Sequence, residues 1–237
     1  MAKGRFWASV CAAIAASISF AGELPDSRTH PTTGHVETVQ VYWSGTSLDV
    51  RHLDDPGPGA PTIFTIADGS NDERGARIEI DDNDDTWVAF WRAGSTHEVL
   101  VRRYDYSASA WGNAVVISDV AVGSRRPSIA HDGTQAWIGY ETSLPGATGI
   151  ELGQVVDEGA PWTTVSLGST TWSGTVDVQV LHEAGKTWVS WVDSASNVSW
   201  AEYDAATDSW GTTQDESYAS DSVVHARKRI RGEVLGL

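Results

Sequence analysis

Hydrophobic and polar residues alternate along most of this chain in short runs, which is the period of a β-strand and not of a helix. One clear series begins with Arg77-Ile78-Glu79-Ile80 and continues, after turn-forming residues, through 86–91, 98–104 and 114–118. These runs are rich in Val, Ile, Trp and Tyr, and Asp, Asn, Gly and Ser separate them. No segment after residue 21 combines a sustained helical period with capping residues. The pattern predicts an all-β protein.

The strand pattern repeats about every fifty residues. The tetrads Trp87-Val88-Ala89-Phe90, Trp137-Ile138-Gly139-Tyr140 and Trp188-Val189-Ser190-Trp191 follow one another at intervals of 50 and 51 residues, and Gln40-Val41-Tyr42-Trp43 is a weaker copy. A second repeated feature is Tyr-Asp followed by Trp-Gly, at 104–112 and at 203–211. Four short strands per repeat of this length are typical of a β-propeller blade.

We therefore predict a β-propeller of about four four-stranded blades over residues 36–237. The blades are expected at about 36–67, 76–118, 126–168 and 175–218. On this pattern the first blade lacks its first strand. Residues 222–230 at the C-terminus alternate like a first strand and are candidates to complete blade 1. A β-sandwich of two sheets and a partial propeller are the alternatives, because strand spacing alone does not separate them.

The N-terminus differs from the rest of the chain. Lys3 and Arg5 precede an uncharged apolar run from Phe6 to Phe20, and small residues then precede position 22. This is the three-part form of a secretory signal peptide, so residues 1–21 are interpreted as one and the protein is expected to be secreted, extracellular or periplasmic. Residues 22–35 are rich in Pro, Gly, Ser and Thr and are interpreted as a linker.

Composition narrows the classes of partner. The 237 residues carry 16 Lys and Arg against 32 Asp and Glu, for a formal net charge of −16. Such an acidic chain lacks the basic footprint of a nucleic-acid binder, and no stable membrane insertion is expected after signal cleavage. The one Cys is Cys11, inside the predicted signal peptide, so a disulfide framework is not expected.

Tryptophan is abundant, with 12 residues, and exposed Trp rings often stack on sugars. Most of these residues occupy repeated places and are expected to pack between blades. Three lie outside the repeated places and are the predicted ligand-binding residues: Trp91, Trp172 and Trp200.

Two groups of residues are candidates for a divalent cation. The acidic run 81–85 offers oxygen ligands of the kind that Ca²⁺ takes, although Asp and Asn also favour a hairpin turn. Asp81, His131 and His182 each stand six residues before a repeated Trp. If the first strand of each blade is innermost, the three side chains occupy equivalent places around the axis and form a candidate metal site, for zinc for example.

Pro127-Ser128-Ile129-Ala130 before a turn and Trp137-Ile138-Gly139-Tyr140 after it resemble the repeats of secreted bacterial propellers related to the sialidase-like group. The resemblance covers residues 36–231 and implies the fold. The sequence has no Asp-box of that group, and only Arg126-Pro127 is similar to one of its arginine motifs, so no catalytic residue is assigned.

We expect a secreted, non-catalytic binding module that recognises an extracellular glycan or protein through its propeller-face loops. A glycoside hydrolase or lyase of the sialidase-like group is the first alternative, because many carboxylates are present. A structural surface module is the second alternative.

Overall fold

The computed structural model describes residues 26–29, 32–43, 48–55, 62–66, 72–93, 96–118, 123–144, 147–155, 163–170, 177–183, 185–192, 197–204, 206–207 and 209–217. These residues form four antiparallel sheets, one for each predicted blade. None of them lies in a helix of the length and apolarity that a membrane crossing requires.

The first four strands of each blade form a meander in which consecutive strands pair, and in blades 2 and 4 a fifth short strand also pairs with the third. Blade 1 contains β1 (Asp26–Thr29), β2 (Val36–Trp43), β3 (Leu48–Asp55) and β4 (Thr62–Thr65). Blade 2 contains β5 (Asp72–Ile80), β6 (Thr86–Ala93), β7 (Glu98–Asp105), β8 (Ala110–Trp111) and β9 (Val115–Val116). Blade 3 contains β10 (Gly123–His131), β11 (Ala136–Leu144), β12 (Ala147–Val155) and β13 (Thr163–Thr170). Blade 4 contains β14 (Asp177–Glu183), β15 (Lys186–Val192), β16 (Asn197–Asp204), β17 (Ser209–Trp210) and β18 (Gln214–Ser217).

The second strands of blades 2 and 3, β6 and β11, are buried on both of their faces along residues 86–91 and 136–141. In β6, Val88 and Phe90 pack toward Val39 and Val41 of blade 1. The alternate residues of β6, including Trp87, face the blade 3 side. This explains why the tetrads are continuous apolar runs and do not alternate with polar residues. A two-layer β-sandwich would leave one face of each sheet in solvent, so the face-to-face stacking of successive sheets identifies a propeller.

The first strands of neighbouring blades lie side by side: β1 contacts β5, β5 contacts β10, and β10 contacts β14. Side chains join two of these strand pairs. The backbone amide of Ile78 donates to Asp26 Oδ2 at 3.1 Å, and that of Val180 donates to Ser128 Oγ at 3.0 Å. Among the described strands, none of blade 4 packs extensively on blade 1, which agrees with a partial propeller of about four blades.

Residues 22–35 do not form a linker throughout, because one segment of them is a strand. This strand is the first strand that blade 1 was expected to lack. Asp26–Thr29 forms β1 and pairs with β2 from Asp26 opposite Val39 to Thr29 opposite Val36. The run Asp-Ser-Arg-Thr contains no apolar residue, so no hydrophobic alternation predicts a strand here, and the strand arises from pairing with its neighbour. Residues 222–230, the predicted replacement, lie outside the described residues, as does the predicted signal peptide at 1–21.

Candidate functional site

Three of the repeated tryptophans are buried and pack between blades, as expected. Trp87 and Trp137 are each 1% exposed, and Trp191 is 2% exposed. The indole of Trp137 lies against Tyr203 of the next blade, with ring centroids 5.3 Å apart. Repeated Trp in this chain therefore contributes hydrophobic area to the blade interfaces.

The three tryptophans predicted to bind a ligand have different surroundings. Trp91 is only 9% exposed, with His97 edge-on at 5.1 Å and the guanidinium of Arg74 at 5.7 Å from its ring. A Cβ on Gly75 would stand 2.8 Å from its indole, so the ring is covered and the prediction that Trp91 stacks on a sugar is wrong. Trp200 is half-buried in β16 and remains a prediction, whereas Trp172 lies outside the described residues.

The equal spacing of Asp81, His131 and His182 before Trp does not give equivalent positions. Asp81 lies in the β5–β6 loop of residues 81–85, whereas the β10–β11 loop spans only 132–135, one residue fewer, and His131 ends β10. His131 Nε2 lies 3.9 Å from Asp81 Oδ2, but His182 Nδ1 is directed to Thr187 Oγ1 at 2.9 Å. Within the described part of the chain, these three residues form no convergent ligand group, so the predicted ring is not formed.

The acidic turn 81–85 uses its oxygens within the protein. Asp81 Oδ1 accepts from the amides of Asn83 and Asp85 at 2.8 and 3.0 Å, and Asp81 Oδ2 accepts from Trp87 Nε1 at 2.9 Å. The carboxylate of Asp85 accepts from Arg103. These bonds support the hairpin interpretation over the calcium interpretation.

Blade 3 repeats this anchor with Asp132, which the sequence comparison did not single out. Its Oδ2 accepts from Trp137 Nε1 at 2.7 Å, and its Oδ1 accepts from the amides of Thr134 and Gln135. Burial would raise the pKa of Asp132, but the hydrogen bonds from Thr134 and Trp137 dominate and hold it well below the ordinary value. A turn carboxylate thus positions the blade Trp in both blades.

A set of polar side chains lies between blades 1 and 2, near the start of β2 and the end of β3. We name it the blade 1–2 polar cluster, and it consists of His35, Glu37, His52, Asp54, Thr86 and Tyr106. Glu37 shares one face of β2 with Val39 and Val41, and it pairs with Asp54 of β3. The alternation therefore carries a glutamate into the blade interface.

Glu37 is the centre of this cluster and is fully buried. Its Oε2 lies 2.7 Å from His52 Nε2 and accepts from Thr86 Oγ1, and its Oε1 accepts from the hydroxyl of Tyr106. Burial raises the pKa of Glu37, but hydrogen bonds from His52 and the two hydroxyls outweigh it and lower the pKa below the ordinary value. Burial and the adjacent Glu37 raise the pKa of Tyr106, so the phenol stays protonated.

A second group lies at the other end of the strands. Arg125 Nε and Arg126 Nη1 donate to the two oxygens of Glu141 at 3.1 and 3.0 Å. Glu141 is 1% exposed, while the two arginine side chains are 35% and 36% exposed. We name Arg125 and Arg126 the arginine pair. The buried carboxylate of Glu141 thus holds both guanidinium groups at a partly exposed position.

The arginine pair lies at an irregularity that blades 2 and 3 share. The register of β5 shifts between Arg74 and Arg77, and that of β10 shifts between Arg125 and Ser128. The backbone is left-handed at the same place in both strands, with φ of 61° at Gly75 and 57° at Arg126. Glycine adopts this conformation freely, but at Arg126 it costs about 1–2 kcal/mol.

Known protein structures share this architecture, although no protein-family model and no curated protein sequence matches the chain. A leech intramolecular trans-sialidase complexed with 2,7-anhydro-Neu5Ac superimposes with a TM-score of 0.63 at 8% identity, over 81% of this chain and 50% of that one. The intramolecular trans-sialidase from Ruminococcus gnavus, in complex with oseltamivir carboxylate, gives 0.61 at 8% identity, over 87% and 72%.

The fold resembles that of the sialidase-like β-propellers. A thermostable family-43 glycoside hydrolase is also similar, with a TM-score of 0.51 at 11% identity over 85% of this chain and 73% of that one. The chain spans half the length of the leech enzyme. At these identities the likeness establishes the fold and not the activity.

The repeat pattern of the sequence does not single out His35, Glu37 or Asp54. The signal was present at Glu37, because its place on the apolar face of β2 predicts burial. His35 falls in the segment 22–35 that the composition predicts to be a linker. Asp54 comes next to Glu37 only through the pairing of β3 with β2.

Proposed function

We propose that this chain is a secreted binding module for extracellular glycans that carry a carboxylate, and that the arginine pair holds that group. A guanidinium offers a planar set of donors that matches a carboxylate. Arg125 and Arg126 keep about a third of their side chains exposed, so a ligand at the surface can reach them. The solved propellers with this fold include one in complex with oseltamivir carboxylate, which supports a ligand of this class.

The left-handed backbone of Arg126 is the observation that carries this proposal. A non-glycine residue in this conformation stores strain, and such strain concentrates at sites where a side chain must be directed to a ligand. Blade 2 places Gly75 at the matching position and avoids the cost. Arg126 therefore stands at a strained position that glycine would fit better, and its guanidinium is fixed by the buried Glu141.

A panel of acidic and neutral glycans, each tested for binding and for turnover, tests the proposal. Wild type should bind carboxylate-bearing glycans without forming product. Arg126→Gln should weaken this binding by about tenfold or more, because a hydrogen bond to a charged group contributes about 1.5–3 kcal/mol. Arg28→Gln is the matched control: Arg28 is 37% exposed and paired with Asp26 and Glu79, away from the arginine pair.

The other outcomes separate the alternatives. Product formation that one carboxylate substitution abolishes would replace the binding module with a glycoside hydrolase or lyase. Equal loss of binding in Arg28→Gln and Arg126→Gln would remove the arginine pair from the proposal. Binding to no glycan, acidic or neutral, would leave a structural surface module.

A further inference from the structure

Three residues of blade 1 bring together the donor atoms of a metal site. One nitrogen of His35 and one oxygen each of Glu37 and Asp54 lie within 4.8 Å of one another. His35 Nδ1 is 3.0 Å from Asp54 Oδ1, and His35 Nε2 is 4.0 Å from Glu37 Oε1. Ligands at about 2.1 Å from a tetrahedral ion stand about 3.4 Å apart. These two contacts are made by different nitrogens of the His35 ring, and one ion can bind only one of them. The ligand set therefore rests on three donor atoms within 4.8 Å of one another, which side-chain rotations would bring to the separation that an ion requires.

The side chains around these donors already hold them in place. His52 and Thr86 occupy one oxygen of Glu37, which leaves Oε1 directed toward His35 and Tyr106. The hydroxyl of Tyr106 also lies 3.1 Å from Asp54 Oδ2. Metal-ligating carboxylates are oriented by hydrogen bonds of this kind from residues behind them. The cluster thus supplies both the ligands and their supports.

Charge favours a cation at this place. The side chain of Glu37 is fully buried and that of Asp54 is 17% exposed, and one tyrosine hydroxyl lies between the two carboxyl groups. Two carboxylates this close repel each other in a region of reduced dielectric, which a dication would offset. One imidazole with two carboxylates suits zinc, whereas calcium takes six to eight oxygens. Access is from the side of Asp54 and His35, whose side chains are not fully covered.

The geometry points to a zinc-class divalent cation bound by His35, Glu37 and Asp54 at the interface of blades 1 and 2. The ligands come from blade 1, while Thr86 and Tyr106, which support them, come from blade 2. The ion therefore ties the position of one blade to the next, and its role is structural. The site lies at the opposite end of the strands from the arginine pair, so it is independent of the proposed glycan binding.

Titration of the EDTA-stripped full chain with Zn²⁺ tests this inference, with the thermal midpoint and the visible spectrum of the Co²⁺ form as further readouts. Wild type should bind one Zn²⁺ and unfold at a higher temperature with it, because the ion binds the folded state. His35→Gln and Asp54→Asn should each lose more than about tenfold in affinity, the smallest loss typical of an altered metal site. His35→Gln should also change the Co²⁺ spectrum.

His182→Gln is the matched control, because it removes a half-buried histidine of blade 4 that bonds Thr187. This variant should bind Zn²⁺ as tightly as wild type does. Midpoints of the metal-free variants separate lost ligands from lost folding, and Asp54→Asn keeps a group that can bond Tyr106. The inference is overturned if wild type binds no Zn²⁺, if Ca²⁺ raises the midpoint and Zn²⁺ does not, or if both ligand variants bind as tightly as His182→Gln.

Discussion

A single methyl group added at Gly139 should destabilise the interface between blades 3 and 4. The Cβ of an alanine there would lie 2.5 Å from Val180 Cγ2 and 3.1 Å from Val178 Cγ1. Both valines are buried in β14, and a valine side chain has little rotamer freedom with which to move away. The strand itself would have to shift. The matching tetrad positions, Ala89 and Ser190, are also small, which the repeat alone does not explain.

The expected cost follows from two opposing terms. Overpacking of a well-packed core costs about 1–3 kcal/mol. Replacing glycine with alanine recovers about 0.4–1 kcal/mol by restricting the unfolded chain. Gly139→Ala should therefore lower the free energy of unfolding by about 1–2 kcal/mol, which corresponds to a fall in thermal midpoint of about 2–8 °C for a domain of this size.

Gly153→Ala is the matched control for this change. Gly153 lies in the adjacent strand β12, opposite Ile138, and its Cβ would meet Ile117 Cδ1 at 3.4 Å and Tyr140 at 3.6 Å, which are ordinary contacts. Gly153→Ala lowers the conformational entropy of the unfolded chain as Gly139→Ala does, but it introduces no clash. Its stability should therefore equal or exceed that of wild type. Urea unfolding followed by tryptophan fluorescence measures both variants.

Removal of the methyl group that Gly139→Ala would meet provides a second check. Val180→Ala in the Gly139→Ala background should cost less than the same change in wild type, with a coupling energy of about 0.5 kcal/mol or more. Equal stabilities of Gly139→Ala and Gly153→Ala, or strictly additive single changes, would refute the packing argument.

Two further predictions concern polar groups. The hydrogen-bonded Asp132 has a folded pKa below its ordinary 3.8, so it stabilises the fold above that pH, and this contribution is lost as pH falls through the folded value. Asp132→Ala should lower the free energy of unfolding by about 1.5–3 kcal/mol at neutral pH. Thermal unfolding at pH 2.5 should show a smaller difference in stability between the variant and wild type. The same difference at both pH values would contradict the lowered pKa of Asp132. Tyr106→Phe removes the hydroxyl shared by Glu37 and Asp54, so urea unfolding should show a loss of about 1–3 kcal/mol, and titration a weakening of Zn²⁺ binding by about 10–100-fold. Wild-type values for both quantities would show that the hydroxyl has no part in the cluster.

Much of the fold follows from the sequence, because strand period and turn chemistry are local. Val and Trp runs bounded by Asp and Gly predict strands whichever blade surrounds them. The fifty-residue repeat then requires similar units to bury their faces against one another, which predicts the propeller and the packing of Trp87 and Trp137. Even Asp81 as a turn residue could be predicted from its place before a strand.

The tertiary structure alone decided which residues meet. Asp26–Thr29 is a strand only because β2 pairs with it. The hydroxyl of Tyr106 reaches Glu37 across 69 positions of sequence, a contact that depends on how two sheets stack. The β10–β11 loop is one residue shorter than the β5–β6 loop. For this reason the carboxylate that bonds the blade Trp is Asp132 in blade 3, and His131, which has the same spacing as Asp81, does not take that role. Periodicity specifies the face on which a side chain lies, but the partners on that face are set by stacking and loop length.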